Sequence, residues 1–288
     1  MKAVYKRELN SYFHSMLGYV FIAFLTAFTG VYFMAYNLNA GYPYFSYTLS
    51  GTMFILIIAV PILTMKCFAE ERRSKTDQLL LTSPVSLSAV VTGKYLAMVT
   101  VFAVPNVIFC LYPLIIKSQG NAYFAVDYAA ILVFFLLGCV YIAIGMFLSS
   151  VTESQIIAAV GTFGILLVLF LLDGLTQFLP SSAAANMAGV ILILTLVAVI
   201  IYQVTKNWVI SAVIEIAGVV ASVVTYVVKD SFFESLLGNI FGKLVLSDVF
   251  TNISSNHLLD ISGLVLFITL IGLFIFLTVQ SIQKRRWS

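Results

Sequence analysis

Apolar runs close to 20 residues long recur along the chain, at 17–36, 50–68, 95–116, 128–149, 155–178, 185–205, 208–228 and 261–282. A helix rises about 1.5 Å per residue, so about 20 apolar residues cross a hydrocarbon core of about 30 Å. In lipid the backbone polar groups must be satisfied within the spanning segment, and for runs of this length only a helix does that. The chain therefore reads as all-α, a polytopic transmembrane helical bundle with about eight spans. Composition agrees: 61% of the 288 residues are hydrophobic, 9% are charged, and the mean hydropathy is +1.07. A soluble domain carries about 25% charged residues. The net charge of +3 is too small to argue for a nucleic-acid partner. Cys67, Cys110 and Cys139 stand singly in apolar segments without a C-x-x-C, and read as small core residues.

The first run follows basic residues but is longer than the apolar part of a signal peptide and lacks a small-x-small site, so it reads as a retained first helix. Eight spans place both termini on one side. Of the 15 Lys and Arg residues, only Lys117, Lys229 and Lys243 fall on the other. The positive-inside rule then puts both termini in the cytoplasm, as in a multi-pass protein of a bacterial-type cytoplasmic membrane.

The connections divide the chain further. Residues 1–16 place Tyr5, Leu9, Tyr12 and Met16 at i, i+4, i+7 and i+11, which predicts an interfacial helix leading into the core spans of 17–182. Spans four and five are joined by a few residues around Glu153, spans two and three by a longer segment, 69–86. There Glu70 to Asp77 holds six charges in eight positions, followed by Leu79, Leu80, Leu81 and Pro84. Mixed charges at helical spacing predict an exposed helix continuing span two, and Pro84 breaks it, with Ser86 or Ser88 as caps for the next. Such a charged helix with an apolar tip has the form of a docking element, or of an ordinary solvated loop. Residues 183–228 hold two further spans. In 229–260, Phe232, Phe233, Leu236, Leu237, Ile240, Phe241 and Leu244 predict an amphipathic helix on the outer face, and 261–288 is the last span with a basic tail.

Chemistry within the chain is sparse. Gly93-Lys94-Tyr95 and Gly242-Lys243-Leu244 do not complete G-x-x-x-x-G-K-[ST], so no nucleotide site is expected. His14 and His257 are expected on opposite sides of the membrane, which leaves no metal site and no catalytic residue. A secondary transporter needs ionisable groups near the midplane, and only Glu215 qualifies, with Asp173 nearer an outer end. A non-transporting assembly factor is the third class. Pro61 in span two, and Gly161 and Gly164 in span five, permit bending and close helix approach. With Glu215 they are the candidates for lining a path.

The tract from Glu70 to Ser86, EERRSKTDQLLLTSPVS, followed by Gly93-Lys94-Tyr95, resembles the signature of ABC-2 type exporter permeases. The similarity is greatest to the branch of gliding-motility-associated permeases. It covers spans one to five and resumes from Phe232 to Trp287. The resemblance implies a type V exporter-like fold whose N-terminal connecting helix precedes span one. It makes Glu70, Glu71, Arg72, Arg73, Asp77, Leu79, Leu80, Leu81 and Pro84, with Glu153 on the same side, the coupling surface for separate cytoplasmic ATPase subunits, which would hold ATP and Mg; this chain would bind no cofactor. A second permease, identical or related, and an extracytoplasmic auxiliary protein are the other partners implied. The usual core of that family has six spans, so 183–228 reads as an inserted pair.

Overall fold

The computed structural model describes residues 1–76, 86–176, 178, 180, 182–205, 208–228, 233–243, 245–256 and 260–287, and among these there is no strand. Helix α1 is Lys2–His14, α2 Met16–Phe33 with a π-helical extension Met34–Asn39, α3 Ser46–Thr64, and α4 Ala69–Arg73. Then follow α5 Leu87–Phe109, α6 Tyr112–Gln119, α7 Phe124–Val151, α8 Gln155–Thr176, α9 Ala183–Thr205 and α10 Trp208–Val228. Helices α11 Leu236–Gly242, α12 Leu246–Asn256 and α13 Ile261–Trp287 complete the chain. Six helical segments among the described residues are long and apolar enough to cross a membrane: Met16–Asn39, Ser46–Arg73, Leu87–Gln119, Phe124–Val151, Gln155–Thr176 and Ile261–Lys284. The other two expected spans are also helices, α9 and α10. Their shorter apolar stretches are Ala183–Thr195 and Glu215–Tyr226.

Two compact units divide the chain, Met1–Phe170 with Leu246–Ser288, and Leu171–Val245. In the first, α3 and α7 are the central helices, each 72% buried along its span, against 17% for α8 and α13. The reason is residue size. Gly138 of α7 lies under the Phe102 ring of α5, and Gly145 of α7 lies under Thr64 of α3, so close that a Cβ at either position would clash. Small residues let backbones approach in a lipid solvent that gives no hydrophobic drive for helix association. Around this contact Leu56, Val60, Met98, Phe102, Phe134, Leu137 and Val140 form the core. In the second unit, α9 packs along α10, and Asn186, fully buried, joins the start of α9 to α11: its Oδ1 accepts the Leu237 N–H at 3.0 Å, and its Nδ2 donates to Pro180 O and Ser182 O.

Three expectations are corrected. The N-terminal stripe does not run to Met16, because Ser15 is extended (φ −99°, ψ 152°) and ends α1; Met16 begins α2 and is 85% exposed. The elbow is tight enough that Gly18 sits against the Tyr12 carbonyl, where a side chain would not fit. The charged helix expected over 70–77 is five residues long, separated from α3 by a turn at 65–68. In the outer region, the expected helix is two, α11 and α12. Of its expected face Phe233 and Leu237 are buried but Ile240 is 48% exposed, and Phe232 and Leu244 lie outside the described residues. The more strongly sided helix is α12, which buries Leu246, Val249, Phe250 and Ile253 in the first unit's core.

Candidate functional site

The turn between α3 and α4 leads into the charged tract that begins at Glu70, and three other helices fix it. Ser149 of α7, fully buried, accepts the N–H groups of Phe68 (3.1 Å) and Ala69 (3.2 Å) and donates to Met65 O (3.1 Å). One hydroxyl thus satisfies the backbone groups that the break in the helix would otherwise leave unpaired. From α5, Lys94 donates to Cys67 O at 2.9 Å and to Glu71 Oε1 at 3.0 Å, with Glu8 Oε1 of α1 at 3.2 Å. Its side chain is 2% exposed. Three acceptors match the three N–H bonds of an ammonium, and the Phe68 ring lies 5.1 Å from the nitrogen.

Helix α1 reaches this point because it lies along α5. The Tyr5 and Thr100 hydroxyls are 3.0 Å apart, and Gly93 admits the Met1 carbonyl and Val4 side chain into contact. Tyr12 is buried and donates its hydroxyl to Leu63 O at 3.2 Å. Burial raises the Tyr12 phenol well above its ordinary value, so it remains a neutral donor. Arg7 then meets both carboxylates, at 2.8 Å from Glu8 and 3.1 Å from Glu71. The hydrogen bond to Glu8 is the first cause that raises the Arg7 pKa further above its ordinary value. Two cations and two carboxylates form a neutral quartet that joins α1, α4 and α5. Beside it opens a polar cleft of about 440 Å³, lined by Arg7, Glu8, Ser11, Lys66, Glu70 and Glu71 among others.

Of the residues singled out in the sequence, Glu71 is in the quartet and Glu70 lines the cleft. Arg72 is buried and Arg73 exposed, while Asp77, Leu79, Leu80, Leu81 and Pro84 lie outside the described residues. Glu153 is exposed between α7 and α8. Pro61 is buried in α3, a Cβ on Gly161 or Gly164 would meet nothing within 4 Å, and Glu215 is half-buried in α10 of the second unit. Sequence reasoning missed Arg7, Glu8, Ser149 and the role of Lys94. Lys94 carried a usable signal: it is the one charged residue in α5, a setting where ionisable groups must find partners.

Among the described residues no group of three His, Cys, Asp or Glu side chains could hold a metal ion. Ion pairs and hydrogen bonds thus connect the base of α4 to α1, α5 and α7. A comparison with curated proteins finds no match. The family described as ABC-2 family transporter protein matches residues 9–217, which takes in α1 from Leu9, the quartet residues Glu71 and Lys94, and every helix through α9. That match speaks to the family and not to its gliding-motility branch. With its multi-pass helical architecture and this extent of agreement, the chain belongs to the ABC-2 transporter family, the membrane permeases of ABC exporters.

Proposed function

We propose that the chain is the permease subunit of an ABC exporter of the cytoplasmic membrane, with both termini inside. Separate ATPase subunits drive it through the tract from Glu70 to Pro84. The observation that carries this reading is the anchoring of α4 by Lys94, Glu8, Arg7 and Ser149 at the base of that tract. A solvated loop has no need of a buried lysine with three acceptors at its root. A docking segment does, because a push at its tip does work only if its base is rigidly joined to the spans. Leu79, Leu80 and Leu81 supply the apolar contact with the ATPase, and the charges around them set its orientation. ATP and Mg are held by the partner. Two permeases, identical or related, face each other and rock to open a path outward; Pro61, Gly161, Gly164 and Glu215 remain the candidates to line it. An extracytoplasmic auxiliary protein completes the assembly.

The test is co-purification with a co-expressed ABC ATPase subunit, sought first among the neighbouring genes, followed by hydrolysis and transport assays in lipid. The double substitution Leu80→Asp and Leu81→Asp should detach the ATPase or uncouple its hydrolysis from transport, while the spans insert as before. Unchanged binding and transport by that variant would refute the docking role.

A further inference from the structure

The end of the first unit opposite the ion quartet carries a different chemistry. Tyr32 and Tyr36, from the end of α2 and its π-helical extension, stack with ring centroids 6.0 Å apart. The line of rings continues from Tyr36 to Tyr42 at 6.3 Å, to Tyr47 at 5.0 Å, to Tyr44 at 6.2 Å and to Tyr123 at 4.6 Å, before α7. Tyr36, Tyr42 and Tyr123 are exposed, the last two at 45% and 48%. Between Ser15 and Met65 the sequence has no Lys, Arg, Asp or Glu. From Ser15 through α3 and from α6 to the start of α7, the Lys, Arg, Asp and Glu residues are Lys117 and Asp127, and Asp127 is fully buried.

Aromatic residues gather at membrane interfaces in general, as belts that need only the right depth. This array has more than depth. The loop that carries Tyr42 and Tyr44 is fixed by two buried polar side chains. Asn37 donates to Tyr42 O (2.8 Å) and Tyr44 O (3.0 Å) and accepts from Thr48 (2.6 Å); Asp127 accepts the Phe45 N–H at 2.7 Å. Gly41, at φ +73°, supplies the turn, and Gly51 lets the Tyr32 ring lie on α3. A loop held this way presents its rings in fixed positions, which lowers the ordering cost of binding.

We propose that this tyrosine array is a binding surface for an uncharged saccharide chain. The C–H faces of a pyranose carry slight positive charge and stack on the negative faces of aromatic rings, and sugar hydroxyls exchange hydrogen bonds with phenols. A row of rings at successive short spacings suits a ligand that repeats. An anionic glycan or lipid headgroup would call for Arg or Lys, which the array lacks. The surface lies at the far end of α3 from α4, so this assignment stands independently of the coupling reading.

The test uses the full chain in nanodiscs of phosphatidylethanolamine and phosphatidylglycerol, with maltohexaose and cellohexaose as neutral probes in saturation-transfer NMR. Oligogalacturonate of equal length and choline are the charged comparators. At least one neutral probe should bind saturably. Tyr42→Ala and Tyr123→Ala, both at exposed positions, should each weaken that binding about three- to tenfold, while Tyr19→Ala, 58% exposed elsewhere on α2, leaves it unchanged. Failure of both neutral probes to bind overturns the proposal. So does equal or tighter binding of oligogalacturonate or choline, indifference to the two array variants, or an equal loss in Tyr19→Ala, which would make the rings part of a lipid-facing belt.

Discussion

Replacing Lys94 by Met keeps the hydrocarbon stem and removes the ammonium. Three acceptors then lose their donor: Cys67 O at 2.9 Å, Glu71 at 3.0 Å and Glu8 at 3.2 Å. Breaking a buried ion pair from one side costs about 3–5 kcal/mol, since the remaining charge stays buried without compensation. Two features of the site reduce that figure. The Glu8 and Glu71 side chains are 14% and 19% exposed, so water reaches them through the cleft, and Arg7 still contacts both. A loss of about 2–3 kcal/mol is therefore expected. In Lys94→Met combined with Glu71→Gln, one of the stranded charges is gone, and the two changes should cost less than their sum by about 1–2 kcal/mol. Equilibrium unfolding in mixed micelles measures both quantities, and amide exchange in α1 and α4 locates the loosening. If Lys94→Met is within about 0.5 kcal/mol of the parent, the level of an ordinary surface change, the quartet does not hold these helices together.

Two further outcomes follow from single hydrogen-bonded groups. Ser149→Ala leaves the Phe68 and Ala69 N–H groups and Met65 O without their shared partner; it should destabilise by about 1–3 kcal/mol and speed exchange of those two amides more than of any amide in α3. Asp260 caps α13 by accepting from Ser262 N (3.0 Å) and Oγ (2.7 Å), and this bonding from Ser262 holds its carboxyl below the ordinary carboxylate range. Its folded pKa being the lower, its contribution is present above the ordinary aspartate pKa and fades as pH falls through the depressed value. Asp260→Ala should cost about 1 kcal/mol at neutral pH, Asp260→Asn should keep most of the cap without the pH dependence, and melting curves between pH 7 and acid check both.

The helices were legible because each span is a local fact: a run such as 128–149 is apolar along its whole length, and nothing distant is needed to recognise it. What ends a helix was less so. The mixed charges of Glu70 to Asp77 satisfy every local condition for continuing α3, yet the chain turns at 65–68 because Ser149, about 80 residues away, offers its hydroxyl to the freed backbone. Likewise Met16 has the right spacing for the face of α1, and spacing carries no information about the extended Ser15 that sends it elsewhere. The quartet shows the same limit in the site. Lys94 in an apolar helix announces that it must have partners, but not which. Glu71 lies 23 residues before it and Glu8 86, on separate helices, and neither differs in sequence from a solvated surface glutamate. The partners are chosen by the path of α1 along α5. That path depends on Gly18 at the elbow and Gly93 at the crossing, two glycines whose need to lack a side chain is visible only once the carbonyls of Tyr12 and Met1 are seen against them.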